Sequence, residues 1–246
     1  MRFWIVSELY YPDESATGYL LTKIAEGLSQ FYPISVISCR NTQCADHTGH
    51  QVKEQRNGVT IWRSWVSHLD KNNLFFRLIN ATTSTIALFV RTLRLINAGD
   101  IVLVVTNPPF LPFVTKIACT LRGAKIMLLI HDVYPNVLVA SGILKPLSIV
   151  SRLFDRLTRN LYKSVNAIIV LGRDMQHLVS EKIPSRNDHI TIIRNWAETD
   201  TVYPLPKNEN PYLKQLNLQD KFVLQYAGNM GRTHGLENIL KCAISL

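Results

Sequence analysis

Short apolar runs that stop abruptly at polar residues recur along the chain, separated by stretches with apolar residues at every third or fourth position. The run Ile126 to Ile130 breaks off at His131 and Asp132 and is closed by Tyr134-Pro135. This pattern predicts a strand buried on both faces, in the middle of a sheet. Arg2 to Ser7, Ile34 to Cys39, Val59 to Trp62, Ile101 to Val105, Ala167 to Leu171 and Ile190 to Ile193 predict further strands. Between them, Leu20, Leu21, Ile24, Leu28 and Phe31 recur at helical spacing, predicting a helix over 17–31 with Thr17 as N-cap and Pro33 beyond its end. Leu74 to Asn97 predicts one long helix or two, and Phe110 to Arg122 another. Strands alternating with helices predict an α/β fold, a doubly wound, mostly parallel Rossmann-like sheet.

The pattern changes after residue 202. Tyr203 to Tyr212 is rich in proline without apolar periodicity and reads as a linker over 203–212. Beyond it, Phe222 to Tyr226 predicts a strand, Ala227 to Gly231 a turn, and Thr233 onward a helix. One strand and one helix cannot bury a core. The chain therefore reads as one α/β domain over 1–202 and, over 213–246, the first strand–helix unit of an incomplete second domain. Residues after about Pro206 are expected to bury less apolar area than their ordering demands unless they dock on the first domain.

With 246 residues, 47% hydrophobic and 18% charged, the composition is globular. Cys39, Cys44, Cys119 and Cys242 form no C-x-x-C pair and no zinc spacing with the histidines, which fits reduced thiols and no metal site. The apolar run in Met1 to Glu14 is too short for a signal peptide, and Ile86 to Val90 is far too short to span a bilayer. The formal charge of +9 asks for an anionic partner.

In an open parallel sheet, ligands sit beyond the carboxyl ends of the strands. Six predicted strand ends, at Ser7, Arg40, Asn107, His131, Gly172 and Arg194, offer polar groups to that edge. His131, with Asp132 beside it, suits bonding to a ligand hydroxyl or sharing a proton; the alternative is a ring that caps the strand end on backbone. Arg194 is an anion contact or a partner for Asp132. Gly18 allows backbone to approach a ligand, or simply opens a helix. Gly228-Asn229-Met230-Gly231-Arg232 suits a phosphate between strand and helix, or a tight turn. Glu8, Asp13 and Glu14 serve as a base, bind hydroxyls or are only solvated.

In 147–163, Leu147, Val150, Phe154, Leu157 and Leu161 form an apolar stripe at helical spacing. Arg152, Arg156, Arg159 and Lys163 follow at i, i+4, i+7 and i+11, a basic stripe suited to anionic lipid headgroups or to water. Nucleic acid is disfavoured, since no binding module is recognisable. A Rossmann oxidoreductase is disfavoured too, because no G-x-G-x-x-G follows the first strand.

Several stretches together resemble a known family. They are WIVSELYYPDESATGYLLTKIAEGLS at the start, TNPPF at Thr106 to Phe110, IHDVYP at Ile130 to Pro135, VLGRDM at Val170 to Met175, IRNW at Ile193 to Trp196, and QYAGNMGRTHGLENIL at Gln225 to Leu240. The chain resembles the GT-B retaining glycosyltransferases of family 4, and among them the colanic-acid-type exopolysaccharide enzymes. The resemblance implies two Rossmann-like domains facing across a cleft. The N-terminal domain holds a polyprenyl-linked or saccharide acceptor, and the C-terminal domain holds a nucleotide-sugar donor. The sugar transfers with retained configuration, and neither metal nor other cofactor is needed.

By that resemblance, Gly18 approaches the donor phosphates or the acceptor, His131 contacts the donor sugar near the anomeric centre, and Gly231 and Arg232 face the diphosphate. The candidate sites are therefore His131 and Asp132 as catalytic residues, Gly18, Asn107, Arg173, Arg194 and Asn195 as substrate contacts, and Gly228, Gly231 and Arg232 at the donor phosphates. The implied place is the cytoplasm, peripheral at the inner face of the cell membrane. In two respects the chain departs from the family. His234 stands near Gly235 where many relatives carry a lysine, and the glutamate motif that holds the donor is lacking. Little or no transfer is therefore expected from this chain unless another polypeptide supplies the rest of the donor domain. The competing expectation is a non-catalytic acceptor- or membrane-binding module, or a truncation remnant.

Overall fold

The structure, a computed structural model, describes residues 1–40, 52–67, 69, 70, 73–228, 230 and 235–245. Among these, eight strands form one sheet: β1 (Phe3–Val6), β2 (Ile34–Cys39), β3 (Lys53–Arg56), β4 (Val59–Ser64), β5 (Ile101–Val105), β6 (Lys125–Ile130), β7 (Ala167–Val170) and β8 (Ile190–Ile192). Their order across the sheet is β3-β4-β2-β1-β5-β6-β7-β8, and only β3 runs antiparallel to its neighbour. The doubly wound, mostly parallel sheet is as expected. The run that starts at Ile126 is not its middle, however. β1 and β5 hold the centre, with Ile5 beside both Val36 and Leu103. β6 lies between β5 and β7.

β3 has no counterpart in the apolar pattern, because Lys53–Arg56 contains no apolar residue. It exists because Asn57 and Gly58 take φ of 45° and 78° and turn the chain back onto β4. Asn-Gly is a strong two-residue hairpin signal, and a charged strand suits an open edge.

The helices cover both faces. Leu21 and Ala25 of α1 (Ala16–Leu28) pack with Ile5, Val36 and Leu103 on one side. On the other, α2 (Leu74–Leu95), α3 (Leu111–Arg122) and, beyond the short α4 (Asn136–Ala140), α5 (Ile149–Ser164) and α6 (Arg173–Lys182) pack on Val6, Val104 and Leu128. The N-cap of α1 is Ser15 rather than Thr17; its side chain accepts from Gly18 N at 3.2 Å. Gly123 ends α3 in the left-handed region, with φ 69°.

The apolar stripe of 147–163 is only partly buried. Phe154 and Leu161 are buried with Ser151, Thr158 and Tyr162, whereas Leu147 is 75%, Val150 61% and Leu157 45% exposed. A packed helix covers an arc of little more than 100°. On α5 that arc is centred near Thr158, which leaves Val150 and Leu157 at its margin.

Beyond residue 202, Phe222 to Tyr226, predicted as a strand, joins no ladder, and its Phe222 is 90% exposed. Two short helices, α7 (Pro211–Gln215) before it and α8 (Leu236–Ile244) after it, have no buried residues.

Candidate active site at the carboxyl edge of the sheet

The chain winds leftward from β1 to β2 and rightward from β5 to β6. The turning point of the topology, where such sheets open a crevice, therefore lies between the ends of β1 and β5. Ser7 follows β1 there, and Thr106 and Asn107 follow β5. His131 and Asp132 leave β6 one strand further on.

Thr106 joins these ends. Its buried hydroxyl accepts the main-chain N–H of both His131 and Asp132, each at 3.1 Å. The turn after β6 is thereby pinned to β5, and both side chains leave from a fixed main chain. Burial pushes the His131 imidazole below its ordinary pKa, while the Asp132 charge pulls the other way without restoring it. The ring is thus neutral at pH 7, with one nitrogen to donate and one to accept. Burial, with Asp132 adding to it, pushes the Tyr134 phenol up to about 12, so that it stays protonated.

Rings support the same turn from below. Phe154 of α5 is sandwiched between Phe110 and Tyr134, with centroids 5.6 and 5.7 Å away and planes within 15° and 19° of parallel. The segments after β5 and β6 thus rest on one helix.

On the β1 side, the loop from Glu8 to Ser15 is held by a buried arginine. Arg63 of β4 donates from Nη1 to Ser38 Oγ at 2.9 Å, from Nε to Glu54, and from Nη2 to the carbonyl of Tyr11. Arg56 lies 3.5 Å from the centre of the Tyr11 ring, and Tyr11 N donates to Thr22 Oγ1 of α1 at 3.1 Å. A Cβ at Gly18 would stand 2.6 Å from the carbonyl oxygen of Asp13. The loop itself therefore demands glycine at this position.

The remaining sequence candidates are distributed along the edge. Asn107 is half-buried beside Thr106. Arg173 opens α6 beyond β7, and Arg194 and Asn195 follow β8, all three exposed. Arg194 therefore stands two strands away from Asp132 in the sheet order. Gly228 is exposed in the C-terminal stretch with φ 148°. Gly231 and Arg232 lie outside the described residues, as does Cys44.

Two contributors escape a reading by residue type. Thr106 is an unremarkable threonine until β5 and β6 pair. Arg63 sits in an apolar strand where it reads as an outward cation.

Residues 18–196 match the model of the glycosyl transferase 4-like domain. The chain is 31% identical over 246 residues to the "Probable glycosyltransferase WbjE" of Pseudomonas aeruginosa, covering 97% of the chain and 58% of that protein. It thus spans little more than half the length of this curated relative. Among solved structures, HepE of Anabaena, described in complex with UDP and glucose, superposes with a TM-score of 0.65 at 12% identity, over 100% of this chain and 58% of that one. Sucrose-phosphate synthase of Thermosynechococcus elongatus superposes with a TM-score of 0.64 at 10% identity, over 100% and 60%. At such identities the likeness is one of fold.

Proposed function

The chain belongs to the glycosyl transferase 4-like domain family, and from that premise we propose that it carries the acceptor-side wall of an enzyme that moves a sugar from a nucleotide-sugar donor to a lipid-linked or saccharide acceptor. The place in metabolism is synthesis of an exopolysaccharide or other cell-surface polysaccharide, on the cytoplasmic side of the membrane. The observation that carries this reading is the edge at β5 and β6. There Thr106 fixes a neutral His131 and Asp132 beside the crevice of the sheet. That HepE is described with UDP and glucose supports a nucleotide-sugar as donor.

In the proposed reaction the bond between the anomeric carbon and the diphosphate oxygen breaks, and the nucleoside diphosphate leaves with the electron pair. The acceptor oxygen bonds to the same face of that carbon, so that configuration is retained. Its proton passes to the departing diphosphate. His131, neutral, bonds sugar hydroxyls near the reacting carbon, and Asp132 favours the positive charge that develops there. Asn107, Gly18 and the exposed Arg173, Arg194 and Asn195 line the path of the acceptor. Gly228, Gly231 and Arg232 are assigned to the donor phosphates, with Arg232 as a forked cation that makes a metal unnecessary.

Calorimetric titration with polyprenyl-diphosphate sugars and with a panel of nucleotide sugars tests this reading. Binding of a lipid-linked saccharide that His131→Ala weakens at least tenfold, and Glu237→Ala leaves alone, is the expected result. If neither class of ligand binds, or if His131→Ala binds like the parent chain, the proposal fails.

A further inference from the structure

The layer formed by α3 and α5 turns an apolar surface outward. Phe110, before α3, and Ile117 and Leu121 on α3 are exposed, as are Ile149, Leu153 and Leu157 on α5. The two helices join at the Phe110–Phe154 stack, and Phe154 has Val150 and Leu157 as its neighbours one turn away on α5. The patch is thus continuous from the segment after β5 to the middle of α5.

Cations border it on α5, whose one acidic residue is Asp155. At about 100° per residue, Ile149, Leu153 and Leu157 fall within roughly a quarter-turn of α5, and Arg152, Arg156 and Lys163 on the arc next to them. Between Lys71 and Lys163 the sequence has only Asp100, Asp132 and Asp155 as acidic residues. Asp100 is buried and receives hydrogen bonds from Trp4 Nε1 and the N–H groups of Arg2 and Asn97, each within 3.0 Å. Asp132 belongs to the sheet edge. Asp155 is paired with Lys182 and with Arg159, which withdraws Arg159 from the basic stripe.

We infer that this face seats the protein on an anionic lipid surface, with Leu153 and Leu157 entering the headgroup boundary and Arg152, Arg156 and Lys163 meeting the lipid phosphates. An apolar arc beside an acid-free cationic one is what such an interface selects. A protein partner with an ordinary mixed-charge surface would leave these cations unmatched. The α5 end of the patch continues through Phe154 to Tyr134, so the seat lies beside the turn that carries His131 and Asp132. This deepens the proposed function and rests on it for the meaning of the seat: an acceptor anchored in lipid would meet the sheet edge without leaving the membrane.

The test is co-sedimentation of the full chain with vesicles of phosphatidylcholine alone and of phosphatidylcholine mixed with phosphatidylglycerol. Association with the mixed vesicles is expected, at least tenfold above that with phosphatidylcholine alone. Arg152→Glu/Arg156→Glu should weaken it at least tenfold. Leu153→Ser/Leu157→Ser should abolish the part that survives about 1 M salt, where screening reaches about 3 Å. Both double variants change exposed residues, and unaltered circular dichroism and melting will show that they fold. Equal binding to both vesicle types, no binding to either, or binding that neither variant changes would overturn the inference. No sugar donor enters the experiment, so its failure leaves glycosyl transfer untouched, and failure of transfer leaves the membrane seat untouched.

Discussion

The side-chain oxygen of Thr106 accepts the main-chain N–H of Asp132 at 3.1 Å, and that of His131 at the same distance. A residue of one strand end thereby sets the geometry of the next, and the candidate catalytic pair depends on a hydroxyl 26 positions upstream.

Thr106→Val keeps the shape and removes the acceptor, leaving two part-buried N–H groups without that partner. The expected cost is about 2 kcal/mol, with ligand binding at the edge weakened as well. Thr106→Ser keeps the hydroxyl and should cost about 1 kcal/mol or less. Urea unfolding of the two variants decides it. Equal midpoints for valine and serine would remove this role from Thr106.

His131 resists protonation in the fold, so the unfolded chain takes up more protons near this group as pH falls below 6.5. Its contribution to stability is complete above that value and declines as pH drops toward the lowered native pKa. In an NMR titration the imidazole should show a midpoint below 6.5. Asp132→Asn removes the charge that favours the imidazolium and should lower the midpoint further. An upward move on Asp132→Asn would contradict the stated balance.

Asp100 binds the start of β5 to the start of β1. Burial pushes its carboxyl up, but the hydrogen bonds from Trp4, Arg2 and Asn97 and the nearby amino terminus bring it below the ordinary value. Its stabilisation is therefore present above the ordinary carboxylate range and lost as pH falls through the lowered pKa. Asp100→Ala should cost about 2–3 kcal/mol at pH 7 and flatten the acid limb of the stability profile. The same variant should leave ligand binding at the opposite, carboxyl edge within twofold once folded.

Two glycines of α1 should respond with opposite signs. Gly18→Ala forces a Cβ to within 2.6 Å of the Asp13 carbonyl and should destabilise by about 1–3 kcal/mol, disturbing the loop after β1. Gly27 has nothing within 4 Å of such a Cβ, and Gly27→Ala should stabilise by about 0.5–1 kcal/mol. Thermal melts of both variants provide the comparison.

Local pattern settled much of this molecule. Apolar runs closed by polar residues marked the strands other than β3, and alternation with helices made the sheet parallel, which already put Asn107, His131, Gly172 and Arg194 at one edge. Both signals are local: burial preference shows in a strand's own residues, and a parallel pairing needs only a crossover to follow. Tertiary structure decided the rest. Strand order put β1 and β5 at the centre and the crevice between them, because pairing depends on complementarity between segments far apart in the chain. The hydroxyl of Thr106 acquired its role only once β5 lay beside β6. On α5 the pattern counted more apolar residues than the sheet and α3 could cover, since periodicity records what a helix can bury and its neighbours determine what it does bury. Val150 and Leu157 were left facing outward for that reason.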